Sequence, residues 1–220
     1  MAISSSRRVK AANKASPEKI ASVAGLTGKV TLGTNEFTVR VDHGSTLASD
    51  DTIRDAIWAL WEANMREMTV PSSFGWNPTE KKKELFHRHS RHILLLREDA
   101  NPQAGEKDPE IIAFAHFRFE HEDDEDLLYC YELQVADAFR RRGIGRFIVE
   151  KLAMIGKHWR MQKIMLTVLK ENESARHMYA KLGFILDPCS PDDECELEGQ
   201  ENTTEEDRPH IDYEILSKDL

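Results

Sequence analysis

Four arginines flank a Gly-x-Gly in "FRRRGIGRF" (139–147), within a chain whose formal net charge is −9. Glycines let backbone N–H groups turn towards an anion. Arg140, Arg141, Arg142 and Arg146 add positive charge around Gly143, Ile144 and Gly145, so the stretch reads as a phosphate cradle at a helix start. It is not a Walker loop, because no Gly-Lys-Ser/Thr follows. Phe147 and Ile148 stand where the dinucleotide fingerprint would need a third glycine. A second reactive group lies just upstream, where Glu132 in "YCYELQ" interrupts a strand of large apolar residues. Partial burial there would bring a carboxyl towards the range of a general base; the alternative is a strand-edge Glu facing water. Downstream, "LTVLKENESARHMYAKLGF" sets Asn172 at a helix start, Ala175 in the first turn and Tyr179 further along. His87, His89 and His92 invite a metal reading, but no Cys or carboxylate lies at a matching spacing, and no metal is expected.

The elements that must position these groups follow from hydrophobic period. "NEFTVRVD" alternates as a strand. Asp50 or Asp51 caps an amphipathic helix through Ile53, Ile57, Leu60, Trp61, Asn64 and Met68, which Pro71 stops. "PSSFGWNP" is a turn-rich aromatic loop, and "PTEKKKELFHRH" is a second helix. "RHILLLRED" and "IIAFAHFRFE" are strands joined by a hairpin loop, and "LLYCYELQV" is a strand of apolar type. A helix begins at the glycines, "KIMLTVL" is a buried strand, and "NESARHMYAKLG" is a helix closed by Gly183. "FIL" and "IDYEIL" complete the sheet. This order predicts a single α/β domain, a mixed central sheet flanked by helices, with a parallel element in its second half. Residues 1–34 show little period and are expected to be basic and loosely packed. The domain then spans 35–220, with an acidic insertion at about 187–210.

Composition narrows the function classes. Forty per cent apolar content with nine Phe and four Trp suits a folded core. No apolar run is long enough to span a bilayer, so no membrane association is expected. The basic N-terminus lacks the apolar region of a secretory signal; a flexible tail, a weak nuclear signal and a mitochondrial presequence remain as readings of it. Three cysteines suggest reduced thiols of the cytosol or nucleus. Carboxylates concentrate in "EHEDDED" (120–126) and in 187–207, which read either as solvated loops or as attraction for a cationic partner. So acidic a chain is a poor partner for nucleic acid, which places the arginines with a small phosphorylated ligand.

The Arg-x-x-Gly-x-Gly loop, followed after about thirty residues by "N…A…Y…LGF", resembles the Gcn5-related N-acetyltransferase superfamily over about residues 110 to 186. "HFRFE…LLYCYELQV…RRRGIGRF", "MLTVLKENE" and "DYEILSK" resemble the N-alpha-acetyltransferase D family, whose members acetylate the N-terminal serine of histones, over roughly residues 50 to 220. That family usually shows Trp-Gly-Trp where this chain has Phe74-Gly75-Trp76, so one indole N–H is missing.

The resemblance implies acetyl-coenzyme A as cofactor. Its diphosphate would lie on the N–H groups of residues 140 to 146, and its pantetheine arm on the backbone of Leu133, Gln134 and Val135, with Asn172 and Ala175 alongside. It implies Glu132 as the general base, working through an ordered water. It offers Tyr179 as the acid for the leaving thiolate, with a packed aromatic as the other reading. Tyr129 and Tyr131, which share a strand face and could equally be packing residues, would surround the substrate's first residues with Phe74, Trp76, Thr167 and Tyr213. Glu120 and Glu122 would meet the serine and the arginine at the peptide's third residue; for the outer acids of that run, plain solubility is the preferred reading. The implied partners are basic histone N-terminal peptides beginning Ser-Gly-Arg-Gly, met by a monomer in nucleus and cytoplasm. An α-amine with a pKa near 7.7–8.0 is already partly neutral at pH 7, so a moderate base suffices. A lysine or polyamine acetyltransferase would need a stronger one. A non-catalytic histone-binding module is the third reading, and the intact cofactor motifs argue against it.

Overall fold

The structure, a computed structural model, describes residues 6–97, 110–191 and 211–220. Its frame is an eight-stranded sheet: β1 (Lys29–Leu32), β2 (Asn35–His43), β3 (Arg91–Arg97), β4 (Glu110–Glu122), β5 (Glu125–Val135), β6 (Lys163–Leu169), β7 (Ile185–Leu186) and β8 (Tyr213–Asp219). The spatial order is β1-β2-β3-β4-β5-β6-β8-β7. Every neighbouring pair is antiparallel except β5 and β6.

Helices cover both faces. α1 (Arg7–Ala12), α2 (Pro17–Ala24) and α6 (Ile144–His158) lie over one face, and residues of α7 (Glu173–Lys181) join the same core. α4 (Asp51–Thr69) and α5 (Pro78–Leu85) cover the other, with the short α3 (Gly44–Leu47) beside β2. α4 keeps Ile53, Ile57 and Trp61 buried at four-residue steps, the stripe a surface helix turns inwards. Asp50 caps it by accepting from Ile53 N–H at 3.1 Å, and it ends at Thr69 before Pro71. Gly183, with φ +85°, stops α7 in the left-handed conformation that glycine adopts without a Cβ penalty. Among the described residues, no helix is long and apolar enough to cross a membrane.

The N-terminal segment departs from expectation. Residues 6–34, read from the sequence as loosely packed, are folded: Val9 and Ala12, on the helix that packs on β4, and Ile20 and Ala24, on the helix that packs on α6, are buried in the core. Ser6 and Ser16 cap the two helices, and Asn13 donates to Phe119 O at 3.2 Å. Helices of six and eight residues are too short to show a sustained period, so packing rather than pattern holds them. The acidic stretch 192–207 and most of the hairpin loop after β3 lie outside the described residues.

Candidate acyl-transfer site

β5 and β6 pair only at Leu127↔Lys163, Leu128↔Ile164 and Tyr129↔Met165. Beyond Tyr129 the two strands run on unpaired with each other, β5 to Val135 and β6 to Leu169. The sheet therefore opens into a wedge whose inner edges keep backbone groups for something other than a strand. A cavity of about 410 Å³ fills the wedge, lined from the strands by Tyr129, Tyr131, Glu132, Leu133, Gln134 and Thr167. Asn172, Ala175 and Tyr179 close it from the α7 side, and Trp61, Lys81 and Phe74 from the other.

A β-bulge aims the reactive side chains. His116 faces Glu132 across the sheet while Phe117 faces Cys130, so Tyr131 is the extra residue. In a regular strand, Tyr131 and Glu132 would point to opposite faces. The bulge resets the alternation. Tyr129 and Tyr131 before it, and Glu132 and Gln134 after it, all reach the cavity. Leu128 and Cys130 belong to the core under α6, and Leu133 and Val135 pack against it.

Glu132 is buried, at 8% exposure, and none of its partners was evident in the sequence. Trp61 donates its indole N–H to Oε1 at 3.0 Å, and Gln134 donates its amide to Oε2 at 2.7 Å. The Lys81 ammonium sits 2.5 Å from Oε1 and is also paired with Glu84. Burial works against the Lys81 charge, but Glu132 and Glu84 outweigh it, and the ammonium form is favoured above its ordinary range. Gln134 is in turn held by Asn64, 2.9 Å away. The Tyr179 phenol has its pKa well above the usual range, first through burial and then through Cys130 and Glu132, so it stays protonated. Burial likewise pushes Tyr129 up to about 12; its hydroxyl is bonded to Thr167, which works in the opposite sense.

At the glycines, α6 begins at Gly143 in the left-handed conformation, φ +82°, and no side chain caps it. The helices α1, α2, α4, α5 and α7 each have a side-chain cap: Ser6, Ser16, Asp50, Asn77 and Asn172. In α6 the first helical bond runs from Phe147 N–H to Gly143 O, leaving the N–H groups of Ile144, Gly145 and Arg146 pointing out of the helix end. A Cβ on Gly143 would meet nothing within 4 Å, whereas one on Gly145 would meet Met178 Sδ at 2.7 Å, so the second glycine is required by close packing of α7. The arginines are arranged differently from a simple cluster. Arg140 bonds to Asn64 at 2.7 Å and to Val135 O at 3.3 Å, Arg142 lies over Phe139, and Arg146 pairs with Glu150. Arg140, Arg142 and Arg146 thus each have a partner within the protein, beside the open backbone N–H groups of the helix start.

Of the other expected residues, Phe74 lines the cavity, while Trp76, Glu120, Glu122 and Tyr213 do not. Phe74 and Tyr213 are in contact, with ring centroids 5.0 Å apart. Trp76 stacks on Trp61 behind the cavity wall and does not line it. Glu120 accepts from Tyr131 OH at 3.4 Å, and burial is the leading cause of the raised pKa at both Glu120 and Glu122. Arg118, absent from the sequence reading, lies over the Tyr131 ring at 4.5 Å. The acidic run is partly engaged internally, since Glu125 pairs with Lys163 and Asp126 with His121. His87 is exposed, His89 half-buried and His92 buried, and among the described residues no group of three or more His, Cys, Asp or Glu could hold a metal ion.

Residues 57–184 match the model of the acetyltransferase (GNAT) family. The chain belongs to the GNAT family.

Within that family, the N-alpha-acetyltransferase 40 of Saccharomyces cerevisiae is 38% identical over 78 residues, covering 32% of this chain and 27% of that protein. The chain thus spans about a quarter of the length of that curated relative. Solved structures show the same fold at low identity. The GNAT domain of S. lividans PAT superposes with a TM-score of 0.57 at 13% identity over 90% of this chain and 98% of that one. A GNAT acetyltransferase from Listeria monocytogenes gives 0.51 at 16% over 88% and 100%. One from Elizabethkingia anophelis, solved with acetyl-CoA bound, gives 0.50 at 16% over 84% and 98%. The wedge and the uncapped α6 are the parts of this GNAT domain that fit such a ligand: unpaired strand edges for an amide-bearing arm and open N–H groups for its diphosphate.

Proposed function

We propose that this GNAT domain is an acetyl-coenzyme A-dependent N-alpha-acetyltransferase that acts on the N-terminal serine of histone tails beginning Ser-Gly-Arg-Gly. The observation that carries the reading is the buried Glu132 carboxylate at the floor of a cavity that also holds the open strand edges. The partial likeness to N-alpha-acetyltransferase 40 supports an α-amine as acceptor, and the acids at 120 and 122, the first bonded to the cavity residue Tyr131, suit a basic peptide.

Acetyl-coenzyme A supplies an acyl thioester, whose transfer requires a neutral amine and protonation of the departing sulfur. Glu132 takes the amine proton, directly or through water, while Trp61 and Gln134 fix its carboxylate. A nitrogen–carbon bond forms as the carbon–sulfur bond breaks. Tyr179, a cavity-lining phenol kept protonated by burial, would give the sulfur its proton. Backbone N–H groups of residues 133 to 135 orient the arm and can stabilise developing charge on the carbonyl oxygen. Peptide and donor occupy the cavity together, without an acyl-enzyme. Tyr129, Tyr131, Thr167 and Phe74 crowd the acceptor end, and a small first residue fits best. A histone acceptor would place the enzyme in nucleus and cytoplasm.

The test is mass spectrometry of a Ser-Gly-Arg-Gly peptide, with its N-terminus free or blocked, after incubation with acetyl-coenzyme A. Acetylation of the free α-amine alone is expected. Glu132→Gln is expected to lower turnover by about 100-fold or more without weakening coenzyme A binding. Persistent acetylation of a lysine in the blocked peptide would replace this reading with a lysine acetyltransferase.

A further inference from the structure

The donors that reach the Glu132 carboxylate divide unevenly between its oxygens. Oε1 accepts from the Trp61 indole and from Lys81 Nζ, so both its lone pairs are engaged. Among the described residues, Oε2 accepts from the Gln134 amide alone and keeps a lone pair free. Gln134 is buried, and its neighbours turn its amide that way. Its Oε1 accepts from Asn64 Nδ2 at 2.9 Å, and the same Nδ2 donates to Val135 O at 3.1 Å. Asn64 Oδ1 accepts from Arg140 at 2.7 Å, and Arg140 Nε also donates to Val135 O. A guanidinium only donates and a backbone carbonyl only accepts. Arg140 and Val135 O therefore fix which end of the Asn64 amide is oxygen, and Asn64 in turn fixes the Gln134 amide. Gln134 is left with its N–H groups on Glu132 Oε2. Reversing the Asn64 amide would set donor against donor at Arg140 and oxygen against oxygen at Val135.

We propose that Asn64, keyed by Arg140, positions Oε2 of Glu132 as the proton-accepting atom by holding Gln134 in its donating orientation, an inference that rests on Glu132 acting as the general base. A proton leaves the substrate nitrogen for Oε2, directly or across one water. The nitrogen keeps the bonding pair and forms its bond to the acyl carbon, and Oε2 returns the proton to water once the products leave. Asn64 is a positioning residue that acts only through Gln134. The other titratable groups facing Glu132 are Lys81 from α5, backed by Glu84, then Tyr179 from α7, His116 from β4 and Cys130 on β5 itself. Behind Asn64, Arg140 also pairs with Asp137. A substitution at position 64 changes none of these groups.

Asn64→Asp tests the orientation directly, because it keeps an oxygen for Arg140 but removes the donor that faces Gln134. The Gln134 amide is then expected to turn its N–H groups to position 64 and its oxygen to Oε2, an arrangement that favours the protonated carboxyl. With a peptide that wild type acetylates, the acid limb of kcat against pH is expected to move up by about one pH unit. The Kd for coenzyme A and the melting temperature are expected to stay unchanged. Gln134→Met, of similar size and without a donor, is expected to move the limb the same way. In the double variant the limb is expected to lie where Gln134→Met alone puts it, because the carboxylate at position 64 has no amide left to turn. Shifts that add in the double variant would reveal a plain charge effect and overturn the proposal, as would a limb that Asn64→Asp leaves in place. Glu132→Gln is expected to abolish the limb. A limb that vanishes there but does not move in Asn64→Asp overturns the positioning role alone. A limb that persists in Glu132→Gln, or a wild type inactive on free N-termini, defeats the general-base reading and the positioning role with it.

Discussion

Glu132 was legible in the sequence as an acid out of place in an apolar strand; the residues that make it useful were not. Trp61 and Lys81 come from helices 71 and 51 positions earlier in the chain (132 − 61 and 132 − 81), and no local period connects them to β5. The bulge at Tyr131 was equally hidden, because an extra residue is defined by the partner strand. A buried pair of imidazoles behind the site, His92 and His116, was hidden for the same reason. Their rings stack with centroids 5.0 Å apart, and His116 stacks in turn on Tyr131. Burial above all, helped by Arg118 and Arg91, lowers His92 to about 3. Between pH 6.5 and about 3, the unfolded chain therefore takes up a proton that the folded protein refuses. The stability from this neutral ring is complete above pH 6.5 and is lost as pH falls through that window. Melting temperatures are expected to decline from pH 7.5 to 4.5, with His92 contributing on the order of 1 kcal/mol per pH unit. His92→Phe, which preserves the stack, is expected to flatten the decline. An unchanged slope in that variant would show that the ring is not held neutral.

At the level of elements, the second half of the chain was readable because its signals are local. The apolar run of β6, the glycines before α6 and the Asn172 cap of α7 each fall where the sequence placed them. The uncapped start of α6 stands out only beside the side-chain caps of the other long helices. The N-terminal helices were missed although their punctuation was present: Ser16 as cap, Pro17 at the first position and Gly25 at the left-handed end. What could not be read was the surface that they cover, β4 for α1 and α6 for α2. Val9 and Ile20 are both almost fully buried, and each contributes about 1.5–3 kcal/mol by leaving water. Their sum is a large fraction of a domain's net stability of about 5–15 kcal/mol. A chain beginning at Gly25 is therefore expected to melt far lower than the full protein, or to be insoluble. A melting temperature matching that of the full chain would mean that α1 and α2 are ornaments on a self-sufficient core.

For the whole molecule, the sheet does what no single segment can. It brings a helix start at 144, a carboxylate at 132, a helix cap at 172 and an aromatic loop at 74 around one wedge, in a chain whose net charge is −9. On the proposed function, the acidic runs would draw in a basic peptide through a field that salt weakens, and the uncapped helix end would receive the diphosphate despite the chain's overall sign. The most direct measurement is a crystal structure with coenzyme A. The expected result is diphosphate oxygens within hydrogen-bond distance of Ile144, Gly145 and Arg146 N–H, with the thiol end in the cavity beside Glu132. Coenzyme A bound elsewhere, or those N–H groups taken up by the protein's own side chains, would contradict it.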